Sequence, residues 1–263
     1  MSNPLVYTGH DHNYRYKISP SQFSKFIEKP WQWYQEAMLG NGVFEGSTSS
    51  VLGTVIHVLA EKAAKGEPVD RSAVLTWLNE LDVTEETDID EIVRNYPEMS
   101  MTLINNYALK HKYLAVEQGV GVELTEDIIV AGTIDRLEGT DNDITIVDYK
   151  TYHSKTKPKS IVPTYRYQLL TYAWILKRLG YNPTRMKLVF VNRPIDGGVS
   201  EKTGKPLKSY PSEVTELVEE ITEDDMNFID SMIELFKDTI EVLEQYPELK
   251  HVIFHDMRLK EQK

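Results

Sequence analysis

The chain contains no cysteine. Disulfides, thiolate zinc sites and cysteine-held iron–sulfur clusters are therefore excluded, and any metal must sit on oxygen or imidazole donors. Long apolar runs are missing too, since nothing approaches the roughly 18 consecutive apolar residues of a membrane span. Met1–Asn13 lacks the basic-then-apolar plan of a signal peptide, so the expected location is cytoplasmic, with no membrane partner. Basic residues are also in short supply, with 29 Lys+Arg against 41 Asp+Glu and a net charge of −12. Taken as a total, that balance speaks against a polyanionic partner.

The distribution reverses this impression. Lys150–Tyr210 holds thirteen basic residues and two acids, Asp196 and Glu201, a local net of +11 that leaves −23 on the remainder. Such block asymmetry suits a nucleic-acid face on an otherwise acidic body, and it also suits a solvated basic surface with no partner. The rest of the composition is that of a folded protein, and 263 residues suffice for a large core.

Helix signals dominate the first half. Ser19 is placed to cap a helix entered by Pro20, with Phe23, Phe26 and Ile27 at helical spacing, and Pro30 starts a second helix to about Met38. Gly40–Ser50 reads as a loop. Val51–Ala64 carries the apolar stripe Leu52, Val55, Ile56, Leu59 and Ala63, and further helices are expected over Arg71–Leu81 and Glu91–Gln118, with an acidic loop Asp82–Glu91 between them. From Gly119 the pattern turns to β-branched runs, Val120–Val130, Ala131–Leu137 and Ile144–Tyr149, with turn residues at Glu138–Asp143 predicting a β-hairpin. Thr164–Leu179 is again helical, Lys187–Asn192 a short strand, Val214–Ile221 an edge strand, and Glu223–Gln245 a final helix capped by Thr222. Pro194–Ser212 is a long Gly/Lys/Pro loop, which suggests a working role.

If Glu138 pairs with Asp143, Asp135 and Asp148 become diagonal neighbours on one face, roughly 7–8 Å apart, and Lys150 shares that face. On this register Ile129, Ala131, Ile144 and Ile146 lie on their side, and Ile128, Val130, Ile134 and Val147 on the other. Carboxylates so placed need a cation, which is either Lys150 in a buried ion pair or a hard divalent ion such as Mg²⁺ or Mn²⁺. In the second case the ammonium can orient a water and offset charge on a phosphate. His57 is the one polar side chain in Val55–Ala60, either a satisfied core histidine or a ligand, and an imidazole donor leans toward Mn²⁺. Gly53, one turn earlier, leaves room for close approach. Glu123, on the strand leading toward Asp135, is either a ligand or a surface glutamate. Tyr165, Gln168 and Tyr172 form a polar-aromatic helical stripe beside Lys155, Lys157, Lys159 and Arg166, suited to a nucleic-acid backbone or to plain packing.

Together these pieces resemble the RecB-like exonuclease branch of the PD-(D/E)XK nuclease superfamily. The matching elements are Gly53-Thr-Val-Ile-His57, Gly132-Thr-Ile-Asp135-Arg136, Val147-Asp148-Tyr149-Lys150-Thr151 and Gln168-Leu-Leu-Thr-Tyr172, in order over about 120 residues. Ser19–Phe23 followed by Pro30 is similar to the start of this family's catalytic module. The resemblance implies Asp135, Asp148 and Lys150 as catalytic residues. It implies His57, Asp135, Asp148 and the backbone carbonyl of Tyr149 as metal ligands, with Glu123 at an acidic position of variable placement. Gln168 and Tyr172 would support the site or touch DNA, as would Tyr165, Arg166, Lys155 and Lys157. Several relatives carry an iron–sulfur cluster on cysteines, one of them just before the proline. Here Lys29 precedes Pro30, and no cluster can form.

The expected fold is α/β, a central mixed sheet of four or five strands flanked by helices. It would be one nuclease domain over residues 1–263, with a helical part (18–118), a catalytic sheet core (119–222) and a C-terminal helix (223–246). The expected activity is hydrolysis of DNA phosphodiester bonds with Mg or Mn at a two-metal site, from an end, in repair, recombination or replication. A structure-specific endonuclease and a non-catalytic DNA-binding protein are the alternatives. No Gly-x-x-x-x-Gly-Lys-Ser/Thr phosphate loop is present, so a stand-alone module is expected.

Overall fold

The computed structural model describes residues 14–39, 46–68, 70–80, 87–199 and 202–254. Met1–Asn13 lies outside these residues, as do most of the Gly40–Ser50 loop and part of the Asp82–Glu91 loop.

Strand β1 (Tyr16–Ile18) leads into α1 (Pro20–Glu28). Ser19 caps α1 through a reciprocal box, its hydroxyl taking the Gln22 amide at 3.2 Å while the Gln22 side chain takes the Ser19 amide at 3.1 Å. Helix α2 (Pro30–Trp33) continues as one π-helical turn to Met38. Then come α3 (Thr48–Ala64), α4 (Arg71–Glu80) and α5 (Ile89–Leu103), the last extended by a π-helical turn over Ile104–Ala108. Strands β2 (Ala115–Glu123), β3 (Ile128–Thr140) and β4 (Asp143–Tyr152) follow, then α6 (Pro163–Arg178), β5 (Pro183–Asn192), β6 (Val214–Glu220), α7 (Glu223–Gln245) and the short α8 (Lys250–Ile253).

The six strands form one mixed sheet in the order β1-β3-β4-β5-β6, with β2 also on β3. Ile144, Ile146, Met186, Leu188 and Phe190 face a core built with Phe23, Phe26, Trp33, Leu169 and Phe236. Val147, Tyr149, Val189 and Val191 face the other way, onto Leu52, Val55, Ile56, Met99 and Leu103 of α3 and α5. The sheet is therefore covered on both faces, which explains why its strands read as apolar runs. Among the described residues no helix is long and apolar enough to cross a membrane.

Several boundaries differ from the sequence reading. The helix expected over Glu91–Gln118 leaves helical geometry after Ala108, and β2 already runs from Ala115. Buried Arg136 draws the chain away there, its guanidinium donating to the Ala108 carbonyl at 3.2 Å and to the His111 carbonyl. The run Val120–Leu137 is broken by a turn at Leu124–Asp127. The Thr125 hydroxyl closes that turn on the Asp127 and Ile128 amides at 3.2 and 3.1 Å. The β3–β4 hairpin has the two-residue loop Asp141–Asn142, with Thr140 opposite Asp143 and Glu138 opposite Thr145 rather than Asp143. Gly139 is required at its φ of +102°, since a Cβ there would meet the Asp143 carbonyl oxygen at 2.1 Å. Ile128, Val130 and Ile134 join Ile144 and Ile146 in one core instead of facing away from them. Ile134 and Leu137 share that core although three residues apart, so face alternation fails between them, at Asp135 and Arg136.

Candidate active site

Strand β3 has two edges, and their pairing creates the site. One edge pairs with β2 from Ile129 to Leu137. The other pairs with β1 over Ile128–Val130 and with β4 over Arg136–Thr140. Between those two segments, residues 131–135 have no strand partner on that edge among the described residues. The β3–β4 ladder ends at Arg136↔Val147, one step before Asp135 would meet Asp148. The strands fork there, and the fork is filled by side chains.

Tyr172 of α6 donates its hydroxyl to the Thr133 carbonyl at 2.6 Å, satisfying a backbone group that the fork would leave open. It lies so close that a Cβ on Gly132 would meet its oxygen at 3.0 Å and Pro20 Cδ at 2.8 Å. This is why glycine stands at the head of the Gly132–Arg136 segment. Asp135 Oδ2 accepts the Tyr149 amide at 2.7 Å and lies 3.3 Å from His57 Nδ1. The His57 ring packs edge-on against Tyr149, with centroids 5.7 Å apart.

Across β2, Val116 pairs with Arg136 and Gln118 with Ile134, which puts Glu117 opposite Asp135. Glu117 has a backbone φ of 49°, a left-handed conformation uncommon for a residue with a side chain. One donor atom each from His57, Glu117 and Asp135 falls within 4.8 Å of the others. An imidazole with two carboxylates is a donor set suited to a divalent first-row or magnesium-like ion.

Asp148 and Lys150 form the second half of the site. Lys150 Nζ ion-pairs with the buried Asp148 Oδ2 at 2.7 Å. Gln168 of α6 donates to Asp148 Oδ1 at 3.1 Å and accepts from Lys150 at 3.5 Å. The ammonium lies over the Tyr165 ring, 5.0 Å from its centre. Burial raises the Asp148 carboxyl in spite of that ammonium, so a second cation nearby would further favour its charged form. The residues thus fit a metal ion through the His57–Glu117–Asp135 donor set, on which the charge of Asp148 also acts.

Electrostatics separates the carboxylates. Burial pushes the Asp135 carboxyl up, but His57 and the Tyr149 amide outweigh it and hold Asp135 below the usual carboxylate range. Asp148 is raised by burial, which Lys150 only partly offsets. Glu117 is pushed up to about 7 by burial and by the charges of Asp135 and Glu61. Burial would lower the His57 imidazole, but Asp135 raises it overall, and Asp148 does the same for Lys150. The cleft measures about 540 Å³ and is lined by Gly53, His57, Glu117, Asp135, Lys150 and Tyr165 among others. A Cβ on Gly53 would make only an ordinary contact, 3.8 Å from Thr151 Oγ1, so that glycine leaves the cleft wall open without being sterically required.

The structure does not bring every expected residue here. Glu123 pairs with Ile129, six residues along β2 from Glu117, and accepts a hydrogen bond from the Tyr14 hydroxyl. Arg166 is held by Asp225 at 2.8 Å and Glu219 at 3.2 Å, tying α6 to α7 and β6 instead of reaching into the cleft. Lys157 is paired with Glu213, and Lys155 lies over the Tyr210 ring at 5.4 Å. Glu117 was hidden by the overlong helix. Its signal was the turn at Thr125–Asp127, which on antiparallel counting sets Glu117 against Asp135.

A model of the PD-(D/E)XK nuclease superfamily matches residues 17–247. Among solved structures, a protein of Eubacterium rectale provisionally described as an exonuclease is 14% identical, with a TM-score of 0.54 over 88% of this chain and 82% of that one, a likeness of fold. The alkaline exonuclease of Laribacter hongkongensis is 14% identical over 73% of this chain and 92% of its own, with a TM-score of 0.34. A structure of LHK-Exo with dAMP is 13% identical over 90% and 93%, with a TM-score of 0.38. Those two likenesses are too distant to bear on the fold. No curated protein matches in sequence.

Proposed function

Because the chain belongs to the PD-(D/E)XK nuclease superfamily, we infer that it is a divalent-metal-dependent nuclease of RecB-like type that removes nucleotides from DNA ends. The observation that carries this reading is the fork between β3 and β4. There His57, Glu117 and Asp135 offer a joint donor set beside the buried Asp148–Lys150 ion pair.

His57, Glu117, Asp135 and Asp148 would hold the ion, with the Tyr149 carbonyl as a further candidate. When bound, Mg²⁺ or Mn²⁺ supplies a Lewis acid toward a phosphate oxygen. Lys150 keeps its proton, because Asp148 favours the charged form, and so stands ready to orient a water and balance charge growing on the phosphorus-bound oxygens. Gln168 fixes Asp148 and Lys150 relative to each other, and Tyr165 forms the wall under the ammonium. Tyr172 supports the strand that carries Asp135. The helical N-terminal part, the sheet and the last helix act as one nuclease unit.

End-labelled single- and double-stranded DNA, the matching RNA and covalently closed circular DNA, each offered with Mg²⁺ or Mn²⁺, test the reading. Linear DNA should be degraded and closed circles spared. Asp148→Ala and Lys150→Ala should each abolish cleavage, and full activity in Asp148→Ala would overturn the assignment. Cutting of closed circles would replace the exonuclease with an endonuclease.

A further inference from the structure

The basic block Lys150–Tyr210 is less free than its charge suggests. Lys150, Lys157, Arg166, Arg178, Arg185, Lys187 and Arg193 are all ion-paired with acids of this chain. Among the described residues six cations of the block have no such pair, and four of them gather in one place, Lys155, Lys202, Lys205 and Lys208.

That place is a two-stranded ribbon rising from the ends of β5 and β6. Ile195 and Tyr210 exchange backbone hydrogen bonds at 2.8 and 2.9 Å, and Val199 pairs with Pro206 nearer the tip. Gly197 is forced by the opposite strand, since a Cβ there would stand 2.0 Å from the Leu207 carbonyl oxygen, and its amide donates to Ser209 Oγ at 3.0 Å. Gly198 and Gly204 take φ of +58° and +64°. Val199 is 64% exposed and Leu207 51%, so the ribbon projects instead of folding onto the body. Its root is tied to the cleft: Arg193 donates to Ser49, a cleft-lining residue, and its amide to the Tyr152 carbonyl at 2.9 Å.

Single-stranded nucleic acid is gripped through aromatic faces on which bases stack. The ribbon offers none, because its one aromatic residue, Tyr210, already has Lys155 at 5.4 Å and Lys208 at 5.2 Å from its ring centre. A two-stranded β-ribbon does match the width of a B-form major groove, and exposed lysines match its phosphate rims. We propose that the ribbon formed by Ile195–Val199 and Lys202–Tyr210 is a duplex-gripping arm, which lays Lys202, Lys205 and Lys208 against the DNA phosphates beside the cleft. The arm rests on the nuclease reading for its setting, but its binding is measured without hydrolysis.

The test compares the full-length protein with the variant Lys202→Ser/Lys205→Ser/Lys208→Ser, binding a labelled 20-base-pair duplex and a 20-nucleotide single strand in EDTA over a salt series. The variant should keep its melting temperature and lose duplex affinity by about 10-fold or more, with a log–log salt slope shallower by about 2 to 3. Single-strand affinity should change much less. Unchanged duplex affinity and slope would overturn the arm, and so would an equal loss on both probes. Failure of the parent protein to cleave any nucleic acid with metal would instead remove the nuclease reading and leave this binding result standing.

Discussion

Glu117 faces Asp135 across the β2–β3 ladder with a left-handed backbone, and together with His57 the two bring donor atoms within 4.8 Å of one another. Two carboxylates set against each other repel, and the high pKa of Glu117, about 7, reflects that repulsion together with its burial. A divalent ion would remove the conflict. The uncommon φ at Glu117 is what turns its carboxylate toward that shared position.

Glu117→Gln keeps the shape and removes the charge. It should weaken Mn²⁺ or Mg²⁺ affinity by about 10- to 100-fold and lower cleavage at limiting metal accordingly. Glu123→Gln, on the same strand but six residues away, should leave both unchanged. Metal titrations of cleavage on the two variants decide between them, and equal effects would remove Glu117 from the ligand set.

Metal binding should also be visible without substrate. A ligand that binds only the folded state adds about 2.7 kcal/mol at 100 times its Kd. Mn²⁺ should thus raise the melting temperature of the parent chain, EDTA should reverse the rise, and Asp135→Asn should cancel it. A shift of the same size in Asp135→Asn would place the ion elsewhere.

Gln168 holds the two groups that the mechanism needs close together, Asp148 and Lys150. Gln168→Leu leaves Asp148 Oδ1 without its donor and frees the ammonium to drift. Cleavage should fall by about 10- to 100-fold while duplex affinity in EDTA stays the same. An equal loss of affinity would make Gln168 a DNA contact instead.

Arg136 is 0% exposed and donates to Glu138 at 2.8 Å and to the Ala108 and His111 carbonyls, with its guanidinium over the Tyr107 and Tyr113 rings. Glu138 also takes the Tyr107 hydroxyl at 2.9 Å and Lys187 at 3.1 Å. Arg136→Met would leave Glu138 with Tyr107 and Lys187 alone and the two carbonyls without their donor, at a cost of about 2–4 kcal/mol. Urea unfolding should show the loss in the midpoint, and a loss under about 1 kcal/mol would mean that water replaces the guanidinium.

How far the sequence carried the structure depended on how local each signal was. Ser19–Pro20 with Gln22 three residues on is a complete helix start in four residues, and it stands where expected. Asp135, Asp148, Lys150, His57, Gln168 and Tyr172 were legible because each sits in a short segment with its own pattern. Glu117 was not, because Tyr113–Gln118 contains neither glycine nor proline to mark the end of α5. What meets the helix end is Arg136, distant in sequence, which bonds to the Ala108 carbonyl and to the His111 carbonyl just beyond it. Strand β1, three residues long, carries too little periodicity to read. The basic block was counted correctly, but ion pairs such as Arg166–Asp225 and Arg193–Glu91 are tertiary facts, and they neutralise about half of its charge.

The same fork that exposes Asp135 makes Gly132 and Tyr172 a coupled pair. With β4 splayed away, the Thr133 carbonyl relies on the Tyr172 hydroxyl at 2.6 Å, and the ring reaches it only because position 132 has no side chain. Tyr172→Phe should cost about 1–2 kcal/mol, the price of one buried carbonyl left without a donor. Gly132→Ala meets both the hydroxyl and Pro20, and should cost about 1–3 kcal/mol while displacing the ring. In the double variant the hydroxyl oxygen that a Cβ would meet at 3.0 Å is gone and the hydrogen bond is already lost, so the double variant should cost less than the sum of the single ones by at least about 0.5 kcal/mol. Denaturant unfolding of all four proteins gives that cycle. Strict additivity would show that Pro20 alone, at 2.8 Å, sets the need for glycine, and Tyr172 would then hold Asp135 in place by a route independent of Gly132.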